Sequence, residues 1–132
     1  MMGVFHVSVR IRALDRTAAI DVDMIVDTGA TRTLLPGKLV DELRLQPDQR
    51  RPFRLANGEP VDRDMGWVWL ECHGRSTYTL AILGEQADAP LLGAITLEEL
   101  GFEVDPVHRA LRLAPEYMMA ATEGGAGTPE EG

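Results

Sequence analysis

Apolar and polar residues alternate along much of this chain, and this pattern restricts the possible folds more than any other feature of the sequence. Between Val4 and Ala13, apolar side chains occupy every second position and polar ones the positions between them. The same period recurs from Ile20 to Val26. A period of two places the apolar residues on one face of a strand. We therefore predict a half-buried β-strand in each segment, since an amphipathic helix would repeat every 3.6 residues.

Turn-forming residues separate these strands from further short apolar segments. The pairs Asn57-Gly58 and His73-Gly74 predict hairpin turns. They flank predicted strands from Val61 to Cys72 and from Ser76 to Leu83. Gly66 lies within the first of these two strands and predicts a bend or bulge there.

Only two short segments favour a helix. The first runs from Gly37 to Leu45, and the second from Thr96 to Leu100, with Thr96 as the predicted N-cap and Gly101 as the C-cap. Because strands with hairpin turns make up most of the rest, we predict an all-β fold. The expected architecture is a closed barrel or sandwich with one or two short helices.

Length and composition indicate one folded domain followed by a tail. The chain has 132 residues, of which 45% are hydrophobic, enough to bury one core. The last residues are rich in glycine and glutamate and cannot bury apolar area. We expect the domain over residues 1–117 and a disordered, acidic, glycine-rich tail over residues 118–132.

Charge and residue content argue against several classes of function. Thirteen basic and 21 acidic residues give a net charge of −8, which argues against a nucleic-acid partner. The single cysteine, Cys72, excludes an intrachain disulfide and a CxxC metal motif. His6, His73 and His108 lack the spacing of a zinc motif, so we expect no metal and no cofactor. We see neither a signal peptide nor a run of ~20 apolar residues, so we expect a cytoplasmic protein without a membrane partner.

The second predicted strand leads directly into the candidate site, Asp27-Thr28-Gly29-Ala30-Thr31. A strand end holds a carboxylate rigidly, and Gly29 lets the backbone turn sharply. The hydroxyl of Thr28 can both donate and accept a hydrogen bond. An ordinary turn after a strand uses the same residue types, so this segment needs support from the rest of the chain.

That support comes from four segments which, in this order, resemble the retropepsin-like aspartic proteases, a single-domain family that includes the retroviral proteases. Residues 25–31 match the active-site loop, and Leu55-Ala56-Asn57-Gly58 matches the flap hairpin. Residues 91–97 are similar to the apolar-apolar-glycine segment before the C-terminal helix. Residues 102–113 look like the closing strands of the family.

The resemblance implies a role for eight residues. Asp27 is the implied catalytic carboxylate. The others are implied to support the active-site loop (Thr28, Gly29, Ala30 and Thr31) or to bind substrate as the flap (Ala56, Asn57 and Gly58). The family reaction needs two carboxylates facing one water, and this sequence has one Asp-Thr-Gly. The resemblance therefore implies a two-fold homodimer, with one Asp27 from each subunit.

The implied function is that of an aspartic endopeptidase, a hydrolase that cleaves extended peptides. Two carboxylates ~3 Å apart cannot both ionise cheaply, so they share one proton and activate the water together. One alternative is a catalytically silent retropepsin-fold module for dimerisation or peptide binding. Another is a small β-barrel unrelated to proteases, in which Asp27 is only structural.

Overall fold

The structure is a computed structural model that describes residues 4–116, so the predicted tail over residues 118–132 lies outside it. About 50% of the described residues belong to strands and 12% to helices, which confirms the prediction of a mainly β fold. The elements in chain order are β1 (Phe5–Arg12), β2 (Ala19–Val26), β3 (Leu34–Leu35), α1 (Gly37–Leu43), β4 (Gln49–Arg54), β5 (Pro60–Cys72), β6 (Arg75–Leu83), β7 (Leu91–Leu92), α2 (Ala94–Leu100), β8 (Phe102–Asp105) and β9 (Ala110–Leu113).

Seven of these strands form one sheet in the order β1-β2-β7-β3-β6-β5-β4, and β8 and β9 form a separate hairpin. β1 pairs with β5 as well as with β2. The short strand β7 lies between β2 and β3, parallel to β2 and antiparallel to β3. This arrangement brings the end of β2 next to the start of α2, although about 70 residues separate them along the chain.

The alternating pattern of the first two strands produces the core, as predicted. Val9, Ile11 and Met24 are each no more than 1% exposed, while their polar neighbours face outward. Burying a side chain of this size contributes about 1.5–3 kcal/mol. Leu92 is also fully buried, so the central β7 helps to join the two halves of the core.

α2 begins earlier than the sequence predicts. Its N-cap is Gly93 and its first residue is Ala94, so Thr96 lies inside the first turn, and its prediction as the N-cap is wrong. The prediction of Gly101 as the C-cap is confirmed. Gly101 has a φ of 81°, and its N–H donates to the carbonyl of Glu98 at 3.0 Å.

α1 ends at Leu43, two residues before the predicted Leu45. Arg44 adopts the left-handed conformation with a φ of 53°, and the N–H of Leu45 then donates to the carbonyl of Val40 at 3.0 Å. Each helix has seven residues, and within residues 4–116 no helix is long and apolar enough to cross a membrane.

Gly66 does not form the predicted bulge. β5 pairs with β6 in an unbroken register from Asp64 to Cys72. A Cβ at Gly66 would lie 2.6 Å from the carbonyl oxygen of Gln46. The glycine therefore permits a close approach of two backbone segments, which is another established reason for glycine in a strand.

Candidate active site

Asp27 lies immediately after β2, where the backbone is held by strand β7. The N–H of Asp27 donates to the carbonyl of Leu92 at 3.2 Å, and the N–H of Ile25 donates to the carbonyl of Pro90 at 2.9 Å. These bonds extend the parallel β2–β7 pairing to the carboxylate-bearing residue itself. The position of Asp27 is therefore set by a paired strand, as the sequence predicts.

The loop after β2 also holds the carboxylate. Oδ1 of Asp27 accepts a hydrogen bond from the N–H of Gly29 at 2.9 Å. The carbonyl of Asp27 accepts one from the N–H of Ala30 at 3.1 Å. A Cβ at Gly29 would lie 3.1 Å from Oδ1, a tight contact, so this residue needs to be small. Asp27 is half-buried, whereas Thr28 and Gly29 are exposed.

The start of α2 also holds the Asp27 loop, through two backbone hydrogen bonds. The N–H groups of Ala94 and Ile95 donate to the carbonyls of Ala30 and Thr31, at 2.8 and 3.0 Å respectively. The free N–H groups of a helix start are normally unsatisfied within the helix, so here the loop supplies their acceptors. Ala30 and Thr31 thus support the loop through their backbone carbonyls.

A buried cluster of three threonine hydroxyls lies beside this contact. Oγ1 of Thr96 is 2.7 Å from Oγ1 of Thr33 and 2.9 Å from Oγ1 of Thr79. The N–H of Gly93 donates to Oγ1 of Thr33 at 3.1 Å. All three threonines are at most 1% exposed, so the hydrogen bonds replace their lost contact with water.

Sequence reasoning missed this threonine cluster. Threonine is common both in strands and at helix starts, so the residue type alone did not indicate burial. A usable signal was the similarity of two segments, in each of which a threonine follows a Gly-Ala pair within four residues. The segments are Asp-Thr-Gly-Ala-Thr-Arg-Thr (residues 27–33) and Leu-Leu-Gly-Ala-Ile-Thr (residues 91–96).

The predicted flap residues form the tip of the β4–β5 hairpin. The N–H of Leu55 donates to the carbonyl of Glu59 at 2.9 Å, and Oδ1 of Asn57 accepts from the N–H of Glu59 at 2.9 Å. Gly58 has a φ of 86°, a conformation that favours glycine. Ala56, Asn57 and Gly58 are all exposed.

A cavity of about 310 Å³ separates the Asp27 loop from this hairpin. Gly29, Ala30 and Thr31 line it on one side, and residues of β4 and β5 line it on the other. Asp27, Thr28 and the three residues at the hairpin tip are not among its lining residues. The structure therefore brings the loop and the hairpin to one cavity, but through the residues that flank the tip.

The flanking residues were not predicted as site residues. Those that line the cavity from the hairpin are Phe53, Arg54, Leu55, Val61 and Arg63. Sequence parity offered a signal for Phe53, Leu55, Val61 and Arg63, because alternate residues along paired strands share one face of the hairpin, whereas Arg54 has the opposite parity.

Another cavity, of about 390 Å³, lies at the turn between β5 and β6 and includes Arg10 and His73. None of the predicted site residues lines this cavity. Its larger volume does not by itself indicate a catalytic or binding role. Among residues 4–116, no group of three or more His, Cys, Asp or Glu side chains is arranged to hold a metal ion.

Residues 18–99 match the model of one protein family, described as "gag-polyprotein putative aspartyl protease". The chain belongs to this family. The match covers the Asp27 loop, the β4–β5 hairpin and most of α2, which are the segments that build the cavity and its support. No curated protein matches the chain.

Solved structures of aspartic proteases have a similar fold. The EIAV protease complexed with the inhibitor HBY-793 is 18% identical, with a TM-score of 0.59 over 80% of this chain and 95% of that one. The protease of simian foamy virus (mac) is 18% identical, with a TM-score of 0.52 over 72% of this chain and 93% of that one. A retropepsin-like aspartic protease from Rickettsia conorii is 22% identical, with a TM-score of 0.46 over 78% and 85%.

The family match and the first two structures confirm the predicted relationship to retropepsin-like aspartic proteases. They also show that the third reading of the sequence, a β-barrel unrelated to proteases, is wrong. At 18% identity, the likeness to the solved structures concerns the fold.

Proposed function

We propose that this family member is a homodimeric aspartic endopeptidase in which two copies of Asp27 activate one water. The observation that supports this most directly is the geometry of Asp27. Its carboxylate is oriented by the N–H of Gly29 at 2.9 Å, at the end of a paired strand. The next residues of its loop, Gly29, Ala30 and Thr31, line a cavity. The exposure of Thr28 and Gly29 leaves room for a second copy of the same loop.

The proposed chemistry divides two roles between the two carboxylates. One Asp27, ionised, takes a proton from the water as it attacks the scissile carbonyl. The other, protonated, donates to the carbonyl oxygen. When the C–N bond then breaks, the proton taken from the water passes to the leaving amine, and the second carboxylate recovers its own proton from the diol. Because both roles fall to the same residue, symmetry has to supply the second carboxylate.

The proposed dimer pairs the two Asp27 loops across a two-fold axis. In this arrangement the hydroxyl of Thr28 bonds to the opposite loop, and Gly29 lets the loops meet. We also propose that the β1–β5 pairing closes the strands into a barrel, so that the loop stands at one end of a rigid unit.

The proposed substrate is an extended peptide that lies between the Asp27 loop and the β4–β5 hairpin. An extended backbone can bond to strand-like partners while alternate side chains enter pockets. Closure of the hairpin around Asn57 and Gly58 then excludes water from the reacting carbonyl and acts as a flap.

The test uses the full chain, whose molar mass in solution is measured first. A peptide library is then incubated with it from acidic to neutral pH, and products are identified by mass spectrometry. We expect a dimer, an acidic to mildly acidic optimum, and loss of cleavage in Asp27→Asn by at least about 10³-fold, since the reaction loses its acid–base group. Asp23→Asn is the matched control, because Asp23 is an exposed residue of the same strand.

Two results would contradict the proposal. Cleavage by a strict monomer would mean that the site needs no second chain. Absence of cleavage at every pH, together with peptide binding that Asp27→Ala leaves unchanged, would favour the catalytically silent module instead.

A further inference from the structure

Three arginines from three different parts of the chain line the cavity between the Asp27 loop and the β4–β5 hairpin. Arg32 follows the Asp27 loop, Arg54 ends β4, and Arg63 belongs to β5. This is unexpected in a chain with a net charge of −8. The charge lining the cavity is therefore opposite in sign to that of the chain as a whole.

These arginines do not form ion pairs with the described part of the protein. Within residues 4–116, no carboxylate oxygen lies within 4.0 Å of the guanidinium groups of Arg32, Arg54 or Arg63. Two of them donate to backbone carbonyls instead: Arg54 to that of Gly58 at 2.9 Å, and Arg63 to that of Asp62 at 3.1 Å.

Four arginines outside the cavity do pair with a carboxylate, namely Arg10, Arg12, Arg50 and Arg112, whereas five others within residues 4–116 do not. Arg10 donates to Asp21 at 2.7 Å, and Arg50 donates to Asp64 at 3.0 Å. Their charges are already matched by a neighbouring carboxylate. The arginines of the cavity have more donors left for a ligand, since each guanidinium carries five N–H groups.

One acidic residue, Asp88, also lines the cavity. Its Oδ2 accepts a hydrogen bond from the backbone N–H of Glu85 at 2.6 Å, so it is engaged in its own loop. One carboxylate against three guanidinium groups leaves a net positive lining.

The rest of the lining is largely apolar. Phe53 and Val61 come from the hairpin, while Leu34, Ile82 and Leu91 come from β3, β6 and β7. A ligand that suits this cavity combines a short apolar stem with an anionic end. A glutamate side chain has both, and arginine recognises a carboxylate through paired, charge-assisted hydrogen bonds.

We propose that this cavity is a specificity subsite that selects an acidic side chain, glutamate, near the scissile bond of the peptide. This inference rests on the proposed function, because it assumes that a peptide lies along the Asp27 loop. The methylene groups of the glutamate pack on the apolar lining, and its carboxylate accepts hydrogen bonds from the arginines.

The test compares matched peptides that differ only by Glu or Gln, placed in turn at each position around a cleaved bond. Assays run at pH 6, where a free glutamate is ionised. We expect kcat/KM to favour Glu by about tenfold at one position, a typical effect of a hydrogen-bonded charge. The variants Arg32→Gln, Arg54→Gln and Arg63→Gln should each reduce this ratio, and the triple variant should abolish it.

Arg10→Gln is the matched control, because Arg10 pairs with Asp21 outside the cavity. It should keep the preference of the unchanged protein. Equal cleavage of Glu and Gln peptides at every position would overturn the subsite while leaving the proposed protease intact.

If no peptide is cleaved, the proposed protease function fails. The acidic subsite is then tested separately, by measuring peptide binding. Fluorescence anisotropy then measures the affinity of the full chain for the same labelled peptides. Tighter binding of a Glu peptide, lost in the triple variant but kept in Arg10→Gln, would support the acidic subsite. Equal affinities, or no binding of either peptide, would overturn it.

Discussion

Oγ1 of Thr33 lies 2.7 Å from Oγ1 of Thr96, joining the segment after the Asp27 loop to the first turn of α2. Both side chains are at most 1% exposed. Sixty-three residues separate them in the chain, so this bond is a purely tertiary contact. It lies next to the two backbone hydrogen bonds by which α2 supports the loop.

Thr33→Val should destabilise the protein by about 2 kcal/mol. The substitution keeps the shape but removes the acceptor of the Gly93 N–H, and leaving a buried donor unsatisfied costs about 1–3 kcal/mol. Urea unfolding at neutral pH measures the loss. Thr77→Val is the matched control in β6, where Oγ1 donates to the carbonyl of Tyr78 at an exposed position. Its effect should stay within about 0.5 kcal/mol, and equal losses in the two variants would argue against the cluster.

Gly93→Ala should destabilise the protein by about 3 kcal/mol or more, because the added Cβ would meet backbone. It would lie 2.4 Å from the carbonyl carbon of Arg32 and 2.6 Å from its oxygen. Gly74→Ala is the control, since its Cβ would meet nothing within 4 Å and only its φ of 81° adds a cost of about 1 kcal/mol. In thermal unfolding, Gly93→Ala should have a clearly lower midpoint temperature than Gly74→Ala. The reverse order would contradict the close contact at Gly93.

A shared catalytic centre predicts a specific result for mixed dimers. Two differently tagged chains, one unchanged and one with Asp27→Asn, are co-expressed, and the mixed dimer is purified through both tags. We expect less than about 1% of the activity of the unchanged dimer, because one carboxylate cannot fill both proton-transfer roles. Half of the activity would mean that each chain works alone. The mixed dimer with Asp23→Asn is the control, and it should keep the full activity of the unchanged dimer.

Asp105 should contribute to stability only above acidic pH. Its hydrogen bond with Nδ1 of His108, at 2.7 Å, and the bonds it accepts from the backbone N–H groups of His108 and Val107 lower its pKa in the folded protein. A lowered carboxyl pKa stabilises the fold above the unfolded value of about 3.9, and the contribution disappears as pH falls through the folded value. The stability gap between the unchanged protein and Asp105→Asn should therefore be largest near pH 7 and shrink below about pH 4.

Unfolding in urea at a series of pH values measures this gap. Asp62→Asn is a suitable control, because the carboxylate of Asp62 forms no ion pair or hydrogen bond with another described residue. Its gap should be small at every pH. A gap for Asp105→Asn that grows toward acid would contradict the assignment.

The sequence alone determined the strands, the turns and the position of the candidate carboxylate. Alternation from Val4 to Ala13 and the Asn57-Gly58 turn are local signals, and local backbone preferences are sufficient to read them. The order of the four family-like segments then identified Asp27 and its loop. The start of α1 at Gly37 was predicted correctly, but the start of α2 was not. Thr96 suits an N-cap by residue type, but its hydroxyl bonds to buried threonines instead.

Only the tertiary structure decided what surrounds the carboxylate. The contact of Gly93 with Arg32, the bond between Thr33 and Thr96, and the meeting of Arg32 with Arg63 at one cavity all join residues far apart in the chain. Such contacts depend on β7 inserting between β2 and β3, which no local pattern specifies. The physical reason is that alternation selects the buried face of each strand, whereas the choice of neighbouring strand depends on how all the faces pack together.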